Sequence, residues 1–334
     1  MPATLTERSP ASIDSPGWVE IPFVVEANYA GWRLEAYLQQ KLARLPRARL
    51  LRVIRLGLRC EVPLKASTPV WPGLRFSVRR PVTEEPQTPT RFEQVFCDDW
   101  LLVLDKPAGL PLHPSARYHL GTLVGLLRAR YGEDFAEPAH RLDRETSGLV
   151  LCGRTAESNR RLMRAFVGGA VEKEYLAICE GHPARDAFRV EAGIATGTEL
   201  VRIAVRIDAL EGRPALTDFE VIERFTRGGA PFSLLRARPK TGRQHQIRIH
   251  LQHVGFPLVG DKMYGPDPGY FDRFSRHCLE AEAWERLRLP RHALHAAAVS
   301  LAHPGSGERV RFESPLPADL AAFLASRDPD GERR

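Results

Sequence analysis

The chain has 334 residues, room for about two domains of ordinary size. Its 43% hydrophobic and 27% charged content is that of a globular protein, which excludes the disordered and fibrous classes, and no apolar run is long enough to cross a bilayer as a helix. The net charge of +7 is concentrated: residues 31–80 hold twelve Lys or Arg against Glu35 and Glu61, so this segment carries +10 and the remainder −3.

In chain order, residues 1–20 are Pro- and Ser-rich without periodicity and read as disordered. They lack a basic stretch followed by an apolar one, the pattern of a secretion signal. The five cysteines (Cys60, Cys97, Cys152, Cys179, Cys278) are odd in number, widely spaced and free of any CxxC pair. That spacing predicts neither a disulfide framework nor a zinc site, and a cytoplasmic location. Leu34, Tyr37, Leu38, Leu42 and Leu45 recur at helical spacing up to Pro46. A second helix is expected through Leu50, Leu51 and Ile54 to Gly57, with Arg49, Arg52 and Arg55 on its other side. A β-like tail containing Phe76 and Val78 closes this unit at residue 80, and the Pro-rich stretch 81–95 reads as a linker. A basic segment of this density fits a polyanion, either nucleic acid or an anionic membrane surface.

From residue 96 to 325 short β runs alternate with helices, ahead of a tail at 326–334 expected to be disordered. Strands are expected at 101–104, 149–152, 175–179, Val201–Ile207, Leu216–Val221, Ser233–Ala237, Leu294–Leu301 and Arg309–Phe312. Helices are expected at 122–131, stopped by Gly132, and at 156–167, stopped by Gly168 and Gly169. Strands outnumber helices and are often consecutive, which argues α+β.

Three stretches carry chemistry. In His140-Arg-Leu-Asp-Arg-Glu-Thr-Ser-Gly148, Asp143 lies between Arg141 and Arg144, an arrangement expected to keep its carboxylate ionised. Such a group can act as nucleophile, general base or metal ligand, or the loop can simply satisfy its own backbone. In Thr241-Gly-Arg-Gln-His-Gln-Ile-Arg-Ile-His250, Thr241 and Gln244 form a capping-box pair for a helix stopped by Gly255. Ile247, Leu251 and Val254 then share the buried face, and Gln244, Arg248 and Gln252 another, with Arg248 near the anion-favouring N-terminus. His245, His250 and His253 match no metal-ligand spacing, so no metal is expected. In Glu172-Lys-Glu-Tyr-Leu-Ala177, Tyr175 opens a strand as a packing residue or as a platform for a base.

Together these stretches resemble the RluA-type family of pseudouridine synthases. Lys106-Pro-Ala-Gly-Leu110 with His113-Pro114 is similar to its first motif, His140–Gly148 to its catalytic motif, Lys173–Ala177 to its tyrosine motif and Lys240–His250 to its arginine-bearing motif. Gly260-Asp261 with Tyr264-Gly265, then Leu294-His-Ala296 with His303-Pro304, follow in the family's order, so the resemblance spans about 96–318. The basic segment resembles the S-four-type RNA-binding module, except that Arg59-Cys-Glu-Val-Pro-Leu64 replaces its usual Val-Asn-Gly turn.

The resemblance implies a pseudouridine synthase fold with a central mixed, mostly antiparallel sheet, preceded by a small N-terminal α/β RNA-binding domain. It implies isomerisation of uridine in RNA without a cofactor, and the sequence has neither a GxGxxG nor a P-loop. By the same carry-over Asp143 is the nucleophile, Arg248 holds it charged and aimed, and Tyr175 stacks on the uracil and assists at C5. Arg141 fills the space left by the flipped uridine, whose unstacking costs a few kcal/mol. His140, Lys240, Arg243 and His245 are expected to contact RNA, as are Arg49, Arg52 and Arg55. The expected partner is large-subunit ribosomal RNA, with transfer RNA as the alternative, acted on by a monomer. Two competing classes are a non-catalytic RNA-binding or ribosome-assembly factor and a metal-dependent nuclease, the latter short of paired carboxylates. Residues 266–293 form an insertion between two motifs, expected to rim the RNA cleft or to pack on the surface.

Overall fold

The computed structural model describes residues 18–42, 47–81, 85–115, 118, 120–132, 138–197 and 204–329, which fall into two compact units within residues 11–86 and 87–334. In the first unit, β1 (Trp18–Val24) leads through a 3-10 turn to α1 (Leu34–Lys41), α2 (Arg47–Gly57), β2 (Leu58–Arg59) and β3 (Arg75–Pro81). The strands pair antiparallel in the order β1-β3-β2, and Leu34, Tyr37, Leu38, Leu50 and Ile54 pack on Phe76 and Val78. Residues 18–20 therefore belong to this sheet rather than to a disordered lead. Pro22 makes the strand hard to read, and it is tolerated because β1 is an edge strand paired on one side only. Leu45 and Pro46 lie outside the described residues. Leu51, expected on the buried side of α2, is exposed.

The second unit runs β4 (Glu93–Cys97), β5 (Leu101–Lys106), α3 (Leu123–Tyr131), β6 (Ser147–Gly153), α4 (Ala156–Val167), β7 (Glu172–Glu180), β8 (Ala187–Glu191), β9 (Ile194–Thr196) and β10 (Val205–Ile207). It continues with β11 (Leu216–Arg227), β12 (Ala230–Pro239), α5 (Gln246–His253), α6 (Tyr270–Ser275), α7 (Ala281–Leu287), β13 (Leu294–Ala302), β14 (Arg309–Glu313) and α8 (Ala318–Ala325). Nine strands form one sheet in the order β4-β5-β6-β13-β7-β12-β11-β8, with β14 beside β13, and β9 pairs with β10 apart from it. The only parallel ladder among the described strands is β6 with β13, so the α+β class and the mixed, mostly antiparallel sheet are what the fold displays. Strands β5 and β6 read as unbroken apolar runs because both faces are covered. Leu102, Leu104, Val150 and Cys152 face α3, while Leu101, Val103, Leu149 and Leu151 share a core with Leu162 of α4.

Boundaries shift at several places. β4 starts within the expected linker, where the Tyr131 hydroxyl donates to Gln94 Oε1 at 2.9 Å. The start of the expected tail is tied down: the Asp328 amide donates to the Thr226 carbonyl, and its carboxylate accepts the amides of Gly228 and Gly229. Of the strand expected at Val201–Ile207, Val205–Ile207 is extended, and 201–203 lie outside the described residues. No described helix is long and apolar enough to cross a membrane.

Candidate active site

The loop 139–146 leads into β6 and is held along its length. The Ala139 amide donates to the Leu151 carbonyl, the Thr146 amide donates back to the Asp143 carbonyl at 3.1 Å, and Leu142 is buried beneath. Gly148, the last residue of the motif, has φ +108° and lies against Ala296 of β13 so closely that a Cβ would run into its backbone. On the inner side, fully buried Lys106 donates from Nζ to the carbonyls of Pro107 (2.9 Å), Leu110 (3.0 Å) and Arg144 (3.1 Å). Burial pulls the Lys106 ammonium down to about 7.

The opposite wall is the strap 241–245 and the start of α5. The expected Thr241–Gln244 capping box is replaced by a Thr241–Gln246 pair. Thr241 Oγ1 donates to Gln246 Oε1 at 2.7 Å, and that oxygen also accepts the Arg243 amide. The helix thus begins at Gln246, four residues later than a Thr241–Gln244 capping box requires, and Gln244 lies ahead of it. Residue 245 precedes the helix in the left-handed region (φ +53°), a strained position for a histidine. Arg248 falls in the first turn of α5 and is buried, while Gln252, one turn further along the same face, is exposed.

Arg248 bridges two carboxylates. Its Nη1 donates to Asp143 Oδ2 at 2.9 Å, and its Nε and Nη2 donate to Asp261 at 2.7 and 2.8 Å. Fully buried Asp261 also accepts the amides of Met263 and Tyr264. The Tyr264 ring lies 5.0 Å from the guanidinium, and its hydroxyl accepts the Val205 amide and contacts His245 Nδ1 at 2.8 Å. The other ring nitrogen, His245 Nε2, lies 3.7 Å from Asp143 Oδ1. Burial pushes the Asp143 carboxyl up, but His245 and Arg248 outweigh it and hold it down at about 2. Burial lowers His245 to about 4, so its imidazole is neutral at pH 7. The carboxylate is ionised as expected, but the causes are His245 and Arg248 rather than its sequence neighbours. Arg141 is exposed, and Arg144 turns to Glu145 at 3.1 Å and to Tyr118.

A cavity of about 450 Å³ opens over Asp143. Asp143, Tyr175, Arg248, His140, Arg141, Lys240, Arg243 and His245 all line it, with Met163, Phe166 and Val167 as an apolar edge. Tyr175 is the fourth residue of β7 rather than its first, and burial raises its phenol well above the usual range. His140 is spent internally: Nε2 accepts the Leu151 amide, Nδ1 faces the Arg141 carbonyl, and the ring packs on Phe166 at 4.5 Å. Lys240 is exposed, 3.6 Å from Asp218, and Arg243 donates to the Pro214 carbonyl. Arg49, Arg52 and Arg55 sit on α2 of the other unit; Arg52 and Arg55 are exposed, and the Arg49 side chain lies outside the described residues. His250 is buried against Thr217 and Ala192, and no described group of three His, Cys, Asp or Glu is placed to hold a metal ion.

The sequence matches the family model for RNA pseudouridylate synthase over residues 100–253. It is 37% identical over 320 residues to ribosomal large subunit pseudouridine synthase D of Nitrosomonas europaea, spanning 91% of this chain and 87% of that protein. The chain belongs to the RNA pseudouridylate synthase family. Ribosomal large subunit pseudouridine synthase C of Escherichia coli is 33% identical over 319 residues, spanning 90% of this chain and 94% of that protein. The solved structure of human RNA pseudouridylate synthase domain containing 1 superposes with a TM-score of 0.57 at 27% identity, over 73% of this chain and 91% of that one. As an RNA pseudouridine synthase, the chain is an isomerase. The site also contains residues to which sequence reasoning gave no role: Asp261, Tyr264, Lys106, and His292, whose Nε2 lies 2.7 Å from Thr146 Oγ1. Gly260-Asp261, Tyr264-Gly265 and Lys106-Pro107 were visible as motifs, but nothing local says that Asp261 meets Arg248.

Proposed function

We propose that this enzyme converts uridine to pseudouridine in large-subunit ribosomal RNA, with Asp143 as the nucleophile. The observation that carries the reading is a single ionised carboxylate, pinned by Arg248 at 2.9 Å, at the floor of a cavity whose other walls include Tyr175 and five further Lys or Arg residues. The ribosomal target is supported by the names of the relatives in Nitrosomonas europaea and Escherichia coli.

In the reaction the N1–C1′ bond breaks, the uracil turns, C5 bonds to C1′, C5 gives up its proton and N1 takes one. No atom enters or leaves. Asp143 supplies the negative charge that this exchange needs, and Arg248 remains protonated throughout, so it orients and does not serve as the acid. Tyr175 keeps its phenolic proton at neutral pH. It offers a stacking face and a hydrogen bond, and takes the C5 proton only by passing on its own. Exposed Arg141, at the mouth, is placed to occupy the stack vacated by the flipped nucleoside. The exposed Arg52 and Arg55 of α2 supply salt-sensitive attraction to RNA phosphates.

The test is Asp143→Asn, assayed on unmodified large-subunit transcript for RNA binding and for pseudouridine. Binding is expected to persist while product formation falls by at least about 10³-fold, on the scale of losing a nucleophile. A wild-type rate in this variant would remove Asp143 from the mechanism. Comparing pseudouridine positions in total RNA from cells with and without the protein then reads the target directly.

A further inference from the structure

Glu145 lies two residues beyond Asp143, yet it takes no part in lining the cavity. Its Oε1 accepts Arg144 Nη2 at 3.1 Å and its Oε2 accepts Lys262 Nζ at 3.0 Å. The Lys262 side chain is 2% exposed, although it carries a charge. Besides Glu145 and the nearby charges of Asp261 and Arg144, groups of the insertion 266–293 surround its ammonium. Nζ donates to the Pro290 carbonyl at 2.7 Å and lies 4.9 Å from the ring centre of Phe274 in α6 and 5.7 Å from that of Trp284 in α7. The two rings meet edge to face at 5.8 Å and roof the ion pair. The next residues pin the same stretch of loop: Arg291 Nη1 donates to the Glu145 carbonyl at 3.3 Å while held by Asp319, and His292 meets Thr146.

We infer that residues 266–293 act as a water-excluding cover for the Glu145–Lys262 ion pair, and that this pair is a positioning device for the loop that aims Asp143. Coulomb attraction at a given distance scales inversely with the local dielectric, so a roofed pair holds more firmly than an open one. Burial pulls the Lys262 ammonium below its usual range against the opposing pull of Glu145, and Lys262 and His292 keep the Glu145 carboxyl low against its own burial. None of residues 266–293 lines the cavity, so their effect on the chemistry passes through the loop. A buried pair does not by itself add stability; its best-attested use is to fix one arrangement among several.

The inference rests on Asp143 carrying the reaction, so Asp143→Asn is assayed in parallel with Trp284→Ala, Trp284→Phe and Lys262→Met, all in the full-length chain. The substrate is unmodified large-subunit transcript, and kcat and KM are followed over a range of KCl concentrations. In the wild type, kcat at saturating RNA is expected to be insensitive to salt. In Trp284→Ala, water reaches the pair, so kcat falls about fivefold and declines further as salt screens it. Its KM is expected to track the wild type at each salt concentration. Trp284→Phe keeps the roof and is expected to restore both the rate and its salt independence. Folded Lys262→Met is expected to lose about tenfold in kcat, with no salt dependence of kcat. Should Lys262→Met fail to fold, the Trp284 variants decide. A wild-type kcat in Trp284→Ala overturns the inference, as does a loss that is equal at all salt concentrations and is not rescued by Trp284→Phe. Full activity in Asp143→Asn would instead overturn the catalytic reading.

Discussion

Two cationic regions of this molecule hold their charge in opposite ways. Arg248 is buried, committed to two carboxylates, and shielded on one face by the Tyr264 ring. Arg52 and Arg55 stand on an exposed helix face in the other unit. A buried cation acts at full strength on one atom and is nearly indifferent to salt. Exposed ones act on any nearby phosphate and are screened over about 10 Å at 0.1 M salt. On the proposed reading, rate falls to one region and affinity to the other, and substitutions can break that division.

The largest effect is expected for Arg248→Lys. Lysine keeps the charge but cannot bridge Asp143 and Asp261 with a planar fork, so kcat is expected to fall about 10²–10³-fold with little change in RNA affinity. Arg248→Met, which removes the charge altogether, has a signature in pH. In the wild type the Asp143 carboxyl, about 2 in the folded state, lies below its unfolded value near 3.9. Its contribution to stability is therefore present above pH 4 and lost as pH falls through 2, and its ionisation sets no acid limb in the working range. With the guanidinium removed, burial pushes the carboxyl up, so a rate profile taken from pH 4 upward should gain an acid limb. An unchanged profile would separate Asp143 ionisation from Arg248.

Next in size is Lys106→Met, which strands three carbonyls that receive the ammonium. A loss of about 2–4 kcal/mol in unfolding free energy is expected from denaturant titration, because buried acceptors are left without donors. The smallest effect belongs to the exposed region. Arg52→Gln with Arg55→Gln should weaken RNA binding about five- to tenfold and reduce the slope of log affinity against log salt by about 2, with the rate on saturating RNA far less affected. A large drop in that saturated rate would merge the two regions into one function.

The sequence shows whatever repeats locally. The α4 boundaries coincide with the structure because Thr155, Ser158 and the Gly168-Gly169 stop are contiguous signals. The buried strands at 101–104 and 149–152 announce themselves as apolar runs, each a little longer in the structure. The site residues of the second unit converge on one cavity because each lies in a short motif that can be recognised by itself. What stays hidden depends on pairing across distance. The Thr241 partner is Gln246 rather than Gln244, since the strap folds back on Leu216 and Thr217 of β11 before the helix begins. The ionisation of Asp143 is right in outcome and wrong in agent: Arg144 turns to Glu145 and Arg141 is exposed, while His245 and Arg248, the latter 105 residues away, hold the carboxyl down. β1 is invisible behind Pro22, whose tolerance becomes clear only once the strand is known to be an edge.

Gly148 joins the two halves of the large sheet, since β6 and β13 meet there in the one parallel ladder among the described strands. The absence of a side chain at this residue sets how near the acid-bearing loop comes to the tyrosine-bearing strand beyond β13. Thermostabilisation by replacing flexible glycines with alanine would therefore, at this one position, push apart the seam along which the two halves of the sheet are joined.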